Sequence, residues 1–131
     1  MELLNKVQEC GMDNLIAGIV PAAMTTGVKV RKAAEQTVYP RGMVMALSLG
    51  KAGDGCVVPL GTDAKENETL AAAYILADDV TVGAEEDAAA VAYMAGCFAR
   101  KALTAKAEYA MTAADEDSLR KYGIVLKDML D

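Results

Sequence analysis

The sequence predicts a mainly β chain with a minor α+β character: a small compact β-rich domain with one or two short helices and an extended N-terminal arm. Three observations carry this. Apolar residues fall in short runs bounded by glycine, proline and polar turns, as in "GMVMALSLG" and "CVVPL", which is the punctuation of strands. Aromatics make up 5% of a chain that is 53% hydrophobic, so the core has to be assembled from small pieces without many large rigid anchors. At 131 residues there is material for one domain, and a second would be cramped.

Residues 1–38 read as the arm and residues 39–131 as the β-rich domain. "LLNKVQECGM" suits a short amphipathic helix, "NLIAGIVPAAMTTGVKV" is broken at Gly18, Pro21 and Gly27, and "GVKVRK" alternates as a strand does. Pro40 and Gly42 then punctuate the chain, Pro40 fixing its own φ and biasing Tyr39 toward an extended conformation. "GMVMALSLG" follows as a strand buried on both faces, carrying one hydroxyl and no charge. Gly50, Gly53, Asp54 and Gly55 form the turn into the returning hairpin strand "CVVPL", whose Pro59 is best placed at an edge. "GTDAKENET" is a polar loop. In "LAAAYILADDVTVG" the apolar signal comes from Tyr74, Ile75, Leu76, Val80 and Val82, and Gly83 closes it.

"AEEDAAAVAYMAGCFARKALTAKAEYAM" sets propensity against pattern. Its alanine, glutamate and lysine are good helix formers. Residues 88–99, however, have no polar face, so a helix there would have to be buried all round, which is hard to arrange in so small a domain. "TAADEDSLRKYG" is a clearer helix, with acids in its first turn, Leu119 and Tyr122 three apart, Arg120 and Lys121 late and Gly123 at the stop. "IVLKDML" should end the chain as a strand packing through Ile124, Leu126 and Leu130.

Chemistry is sparse. Thirteen basic against nineteen acidic residues leave a net charge of −6, which disfavours binding a phosphate backbone, so nucleic acid is not expected as a partner. Polar or charged residues interrupt every candidate membrane span and the start lacks a secretory pattern; a soluble protein made in the cytosol, with no membrane partner, is expected. There is no histidine, so a nucleophile would need an unusual activator. Cys10, Cys56 and Cys97 are odd in number and widely spaced, which gives neither a disulfide framework nor a metal pair. Cys56 and Cys97 lie in apolar runs, where cysteine is a small buried hydrophobe. Asp78 with Asp79, and Glu85, Glu86 and Asp87, match no calcium loop and suit a solvated face. "GKAGDG" lacks the lysine and hydroxyl pair of a phosphate loop and reads as a hairpin turn. Met43, Met45 and Met94 read as gap-fillers of a core short of aromatics. No catalytic residue, metal ligand or cofactor site is expected.

The order of pieces carries more information than any one of them. "DNLIAG" with a following proline, "YPRGMVMALS", "AAYILADDVTVG", "AVAYMAGCF" with "KAL", and "LRKYGIVL" together resemble the head decoration proteins of tailed bacteriophages, the lambda-type capsid stabilisers. The likeness runs from about Asp13 to Leu126. It implies a non-enzymatic virion protein, trimeric, on the outer surface of the expanded capsid at three-fold and quasi-three-fold positions, with the major capsid protein and its own copies as partners. It also implies an N-terminal arm reaching onto the shell, and on that basis Asn14, Leu15, Ile16, Ile19, Val20, Val28 and Val30 are the expected capsid contacts, through strand addition and alternate pockets. The chain departs from the lambda-type pattern in the longer arm, with "MELLNKVQECGM" ahead of the matched portion, and in its alanine content. Other readings are the base domain of a head fibre, a small ligand-binding or thiol-dependent β-barrel with its site at Cys97, Tyr93 and the carboxylates near Asp78, and a free-standing cytosolic oligomer.

Overall fold

Helix propensity loses to pattern at the longest element. A computed structural model describes residues 15–18, 21–107 and 109–128, and there the alanine-rich run Ala88–Ala99 is a twelve-residue strand, β8. Eight other strands precede or follow it: β1 (Ile16–Gly18), β2 (Met24–Val30), β3 (Thr37–Tyr39), β4 (Val44–Leu49), β5 (Val57–Pro59), β6 (Thr69–Leu76), β7 (Val80–Val82) and β9 (Ile124–Lys127). A 3₁₀ turn at Arg100–Ala102 and one helix, α1 (Ala113–Lys121), complete the described elements. No helix among them is long and apolar enough to cross a membrane.

Five strands close into a barrel in the order β8, β2, β5, β4, β6 and back to β8. All the pairings are antiparallel except β2 with β5, which run parallel and meet at one register pair, Val30 with Val57. Period two then separates two cores. Val30, Met45, Val57 and Leu76 from four of the barrel strands pack together, with Ala88 and Ala90 of β8 against them. A barrel of few strands has a narrow interior, and alanine on β8 leaves room for the larger side chains opposite. The alternate positions, Val44, Ala46, Val58, Ala72 and Ile75, face a second core that contains Leu15, Phe98, Leu119 and Ile124. β4 is therefore covered on both sides, as its uninterrupted apolar sequence requires.

The second core is roofed by α1 and β9. Thr112 accepts from the Asp115 N–H while the Asp115 carboxylate accepts from the Thr112 N–H, a capping box that starts the helix. Leu119 is its one buried residue, and the Ser118 hydroxyl donates to the Ala72 carbonyl at 2.8 Å, fixing the helix to β6. β9 runs parallel to the distal part of β8, where Gly96 pairs with Ile124. Gly96 has φ +149°, and a Cβ there would lie 2.7 Å from the Phe98 ring. Its glycine is thus a condition for seating the only phenylalanine of the chain. β3 and β7 form a separate two-stranded ribbon, which packs Tyr39, Val80 and Val82 against the barrel core.

Three expectations change. Part of the expected arm belongs to the domain: β1 pairs with β8 at Ile16–Phe98, and β2 pairs with it from Met24–Ala95 to Val30–Ala88. A boundary at residue 38 would remove a barrel strand. Met94 is 40% exposed and not core, because β8 carries one extra residue between its partners for Met24 and Thr25, a bulge that re-aims the side chain. Pro59 sits in a central strand, not an edge strand; it stands where the parallel ladder from Arg31 to Val57 would continue, and having no N–H it ends that ladder. The expected N-terminal helix and Leu130 lie outside the described residues.

Phe98 is fully buried and its ring lies 5.0 Å from that of Tyr93. Phe98→Ala should cost about 3–5 kcal/mol in urea unfolding, whereas Val91→Ala, at a 45% exposed position of the same strand, should change stability by less than about 1 kcal/mol.

Candidate functional site

Buried polar groups are where chemistry would be expected, and the largest cluster of them lies at the β2–β5 seam. Arg31 follows β2, Ser48 is near the end of β4, Asp54 is in the β4–β5 turn and Glu68 precedes β6. The Arg31 guanidinium donates to Asp54 Oδ1 and Oδ2 at 3.1 and 3.2 Å, to Ser48 Oγ at 3.0 Å and to Glu68 Oε2 at 2.5 Å. Ser48 also donates to Glu68. Glu68 Oε1 accepts from the Lys65 N–H at 2.9 Å, and Asp54 Oδ1 accepts from the Cys56 N–H at 3.0 Å. The Arg31 N–H donates to the Val57 carbonyl at 3.0 Å. The Glu68 side chain is wholly buried and that of Asp54 is 43% exposed.

These contacts set the ionisation of the cluster. Glu68 is held at about 2, below the ordinary carboxylate range, by the Lys65 N–H first, then by Ser48 and Arg31, against the opposing effect of burial. Asp54 is also pulled down, chiefly by its hydrogen bonds from Arg31. Among the described residues no buried side-chain nitrogen or oxygen lacks a hydrogen-bond partner. A carboxylate held ionised by three partners is a poor proton acceptor near neutral pH. The arrangement pins strands together and offers no group poised for transfer.

The thiols fare similarly. Cys56 is buried and pushed up to about 11, by burial first and then by the Asp54 and Asp87 carboxylates, which leaves little thiolate at neutral pH. Cys97 is buried against Gly18; Cys10 lies outside the described residues. Arg41 ties together Tyr93, whose hydroxyl accepts from Nη1 at 2.8 Å, and Asp79, whose Oδ1 accepts from the Arg41 N–H at 2.7 Å. Cys97 is four residues farther along β8 from Tyr93, about 13 Å of strand, and Asp78 is exposed. Cys97, Tyr93 and Asp78 therefore do not converge on one site.

The expected capsid contacts separate into groups. Leu15 and Val30 are buried in the chain's own two cores, so both are corrected to core residues: their side chains have no surface left for a partner. Ile16 and Val28 are half-buried, within β1 and β2. Asn14, Ile19 and Val20 lie outside the described residues. Exposed large apolar side chains on β2 and β8 are Met24, Val91 and Met94. Tyr122, 40% exposed, follows α1 next to Gly123, which approaches the Met94 carbonyl. Gly27 pairs with Val91 and has open space above it. No family model matches the chain, and no curated protein matches its sequence.

Because the Glu68 pKa is lowered on folding, its contribution to stability is complete above the unfolded carboxyl range and is lost as pH falls through about 4 toward 2. Urea midpoints between pH 6 and 2 should fall across that window, and less steeply in Glu68→Gln. Arg31→Met, which leaves the buried Glu68 without its cation, should cost about 3–5 kcal/mol, and Asp54→Asn less than about 1 kcal/mol. Equal costs for the two would contradict the burial argument.

Proposed function

We propose that this chain is a structural virion protein that binds the outer surface of an expanded phage capsid, as a trimer at three-fold and quasi-three-fold sites, and stabilises the head against the pressure of packaged DNA. The observation that carries the reading is an inversion of the usual distribution of side chains. The charges of the Arg31 cluster are paired with one another, while Met24, Val91 and Met94 on β2 and β8 and Tyr122 after α1 are exposed. Exposed large apolar groups of that kind suit association better than catalysis. The ordered motif series from Asp13 to Leu126 supports the capsid as the surface it meets.

In this reading the chain ahead of Leu15 is the arm. Leu15 is buried and its carbonyl accepts from the Ala99 N–H at 2.7 Å, so the arm starts from a fixed point on the barrel. An arm that orders on docking loses conformational entropy, and three arms on one trimer offset this because binding of the first raises the effective concentration of the others. Closed three-fold symmetry matches a three-fold lattice site. A protein that binds only the expanded lattice stabilises that state by mass action. The net charge of −6 keeps it off the packaged DNA. No enzymatic step is assigned.

The test is co-sedimentation of the full chain with expanded and with unexpanded shells assembled from a tailed-phage major capsid protein. Saturable binding to expanded shells alone is expected, weakened about tenfold or more by Met24→Asp with Met94→Asp. The absence of binding to either shell by the folded protein would sink the proposal.

A further inference from the structure

The β3–β7 ribbon borders an open groove of about 460 Å³. One wall comes from Lys32, Ala33, Ala34 and Thr37–Tyr39; the other comes from Pro59, Thr62 and Lys106. Three features point to what it holds. First, among the described residues β3 has a strand on one side only: it pairs with β7, and outside that pairing no backbone hydrogen bond joins Thr37, Val38 or Tyr39 to the rest of the described chain. Such an edge offers main-chain donors and acceptors to another extended segment. Second, Val38 on that edge is 60% exposed, the most exposed large hydrophobic residue among those described, and Tyr39, Met43, Val58 and Pro59 give the groove an apolar lining.

The third feature is charge. Among the described residues, the cations lining the groove are Arg31, Lys32 and Lys106, and no carboxylate lines it. Arg31 is already neutralised by Asp54 and Glu68. Lys32 and Lys106 have no ion-pair partner among the described residues. In a chain of net charge −6, a groove whose described lining carries two unpaired ammonium groups and no acid is a local reversal of sign, and the complementary occupant is anionic.

We infer that this groove is a docking site for an extended, acidic segment of a partner protein, which adds to the free edge of β3 and places carboxylates against Lys32 and Lys106. Main-chain hydrogen bonds to Thr37–Tyr39 supply register and the apolar lining accepts alternate side chains, the mode of β-strand addition. The groove uses none of the exposed apolar residues Met24, Val91 and Met94, so it stands or falls independently of the capsid reading.

The test uses the full chain and a fluorescein-labelled peptide of about nine alternating glutamate and valine residues, followed by anisotropy and by amide exchange at Thr37–Tyr39. Saturable binding with slowed exchange of those amides is expected. Replacing alternate valines of the peptide by proline, which removes main-chain donors without touching the protein, should weaken binding about tenfold or more. The surface variant Lys32→Glu with Lys106→Glu should do the same and should leave the urea midpoint unchanged. Absence of binding, binding insensitive to the prolines, equal binding of a lysine–valine peptide, or displacement by millimolar succinate would each overturn the inference, the last in favour of a small-anion site.

Discussion

The fold depends on closing the barrel at its weakest seam. β2 and β5 meet at one register pair, too few main-chain bonds to hold two strands together, and a barrel open at one seam exposes two edges. Arg31 supplies what the ladder lacks. Its N–H continues the main-chain pairing to Val57, and its planar fork spans the gap to Asp54, Ser48 and Glu68. Buried ion pairs often contribute no more than a well-packed apolar replacement, but this one has a second role. Glu68 and Asp54 accept the N–H groups of Lys65 and Cys56, main-chain donors in the loop and turn that an apolar plug would leave unsatisfied. The charge cluster is thereby tied to the turns it sits among.

Closure at small radius also explains the composition. With five strands the interior is narrow, so β8 turns Ala88, Ala90 and Ala92 inward and Ala89 and Val91 outward. The chain's one phenylalanine sits outside the barrel wall, where Phe98, Leu119 and Ile124 pack beneath α1 and β9. Alanine serves here for its volume and not for its helix propensity, and tertiary packing overrides local preference. The scarcity of aromatics is the consequence of a fold whose interior has little room for rings.

Much of this was legible in the sequence. The strand "VMALSL", the hairpin return through Val57, the loop ahead of β6 and the α1 cap all follow from glycine, proline and charge placement. The strand character of residues 88–99 followed from the missing polar face. What was not legible depends on register. The inclusion of β2 in the barrel rests on its pairing with a strand about sixty residues away, and the exposure of Met94 rests on a bulge that no local pattern announces. The Arg31 cluster draws on four separated positions, each with an ordinary local explanation. One signal pointed toward it: Ser48, a lone hydroxyl in a strand buried on both faces, had to find a polar partner, and the acids of the two following turns were the nearest candidates in sequence.

The same clamp connects the interior to the surface. Arg31 lies at once in the seam and on the wall of the groove, and the segment leaving it is tied at Lys32, whose N–H donates to Asp87 at 2.9 Å, and at Ala33, whose N–H donates to the Gly83 carbonyl at 3.0 Å. The path from β2 to β3 is thus fixed at three successive residues before the chain reaches Thr37. Holding that path leaves the outer edge of β3 extended and in place with no second strand beside it among the described residues, so little conformational entropy remains to be lost when something binds there. An edge held open by interactions on its far side is a different object from a frayed one. Its short length and the flanking lysines limit indiscriminate pairing between copies, and a cationic rim on an acidic molecule gives preference to acidic segments. The constraint that closes the barrel therefore also prepares its exposed edge.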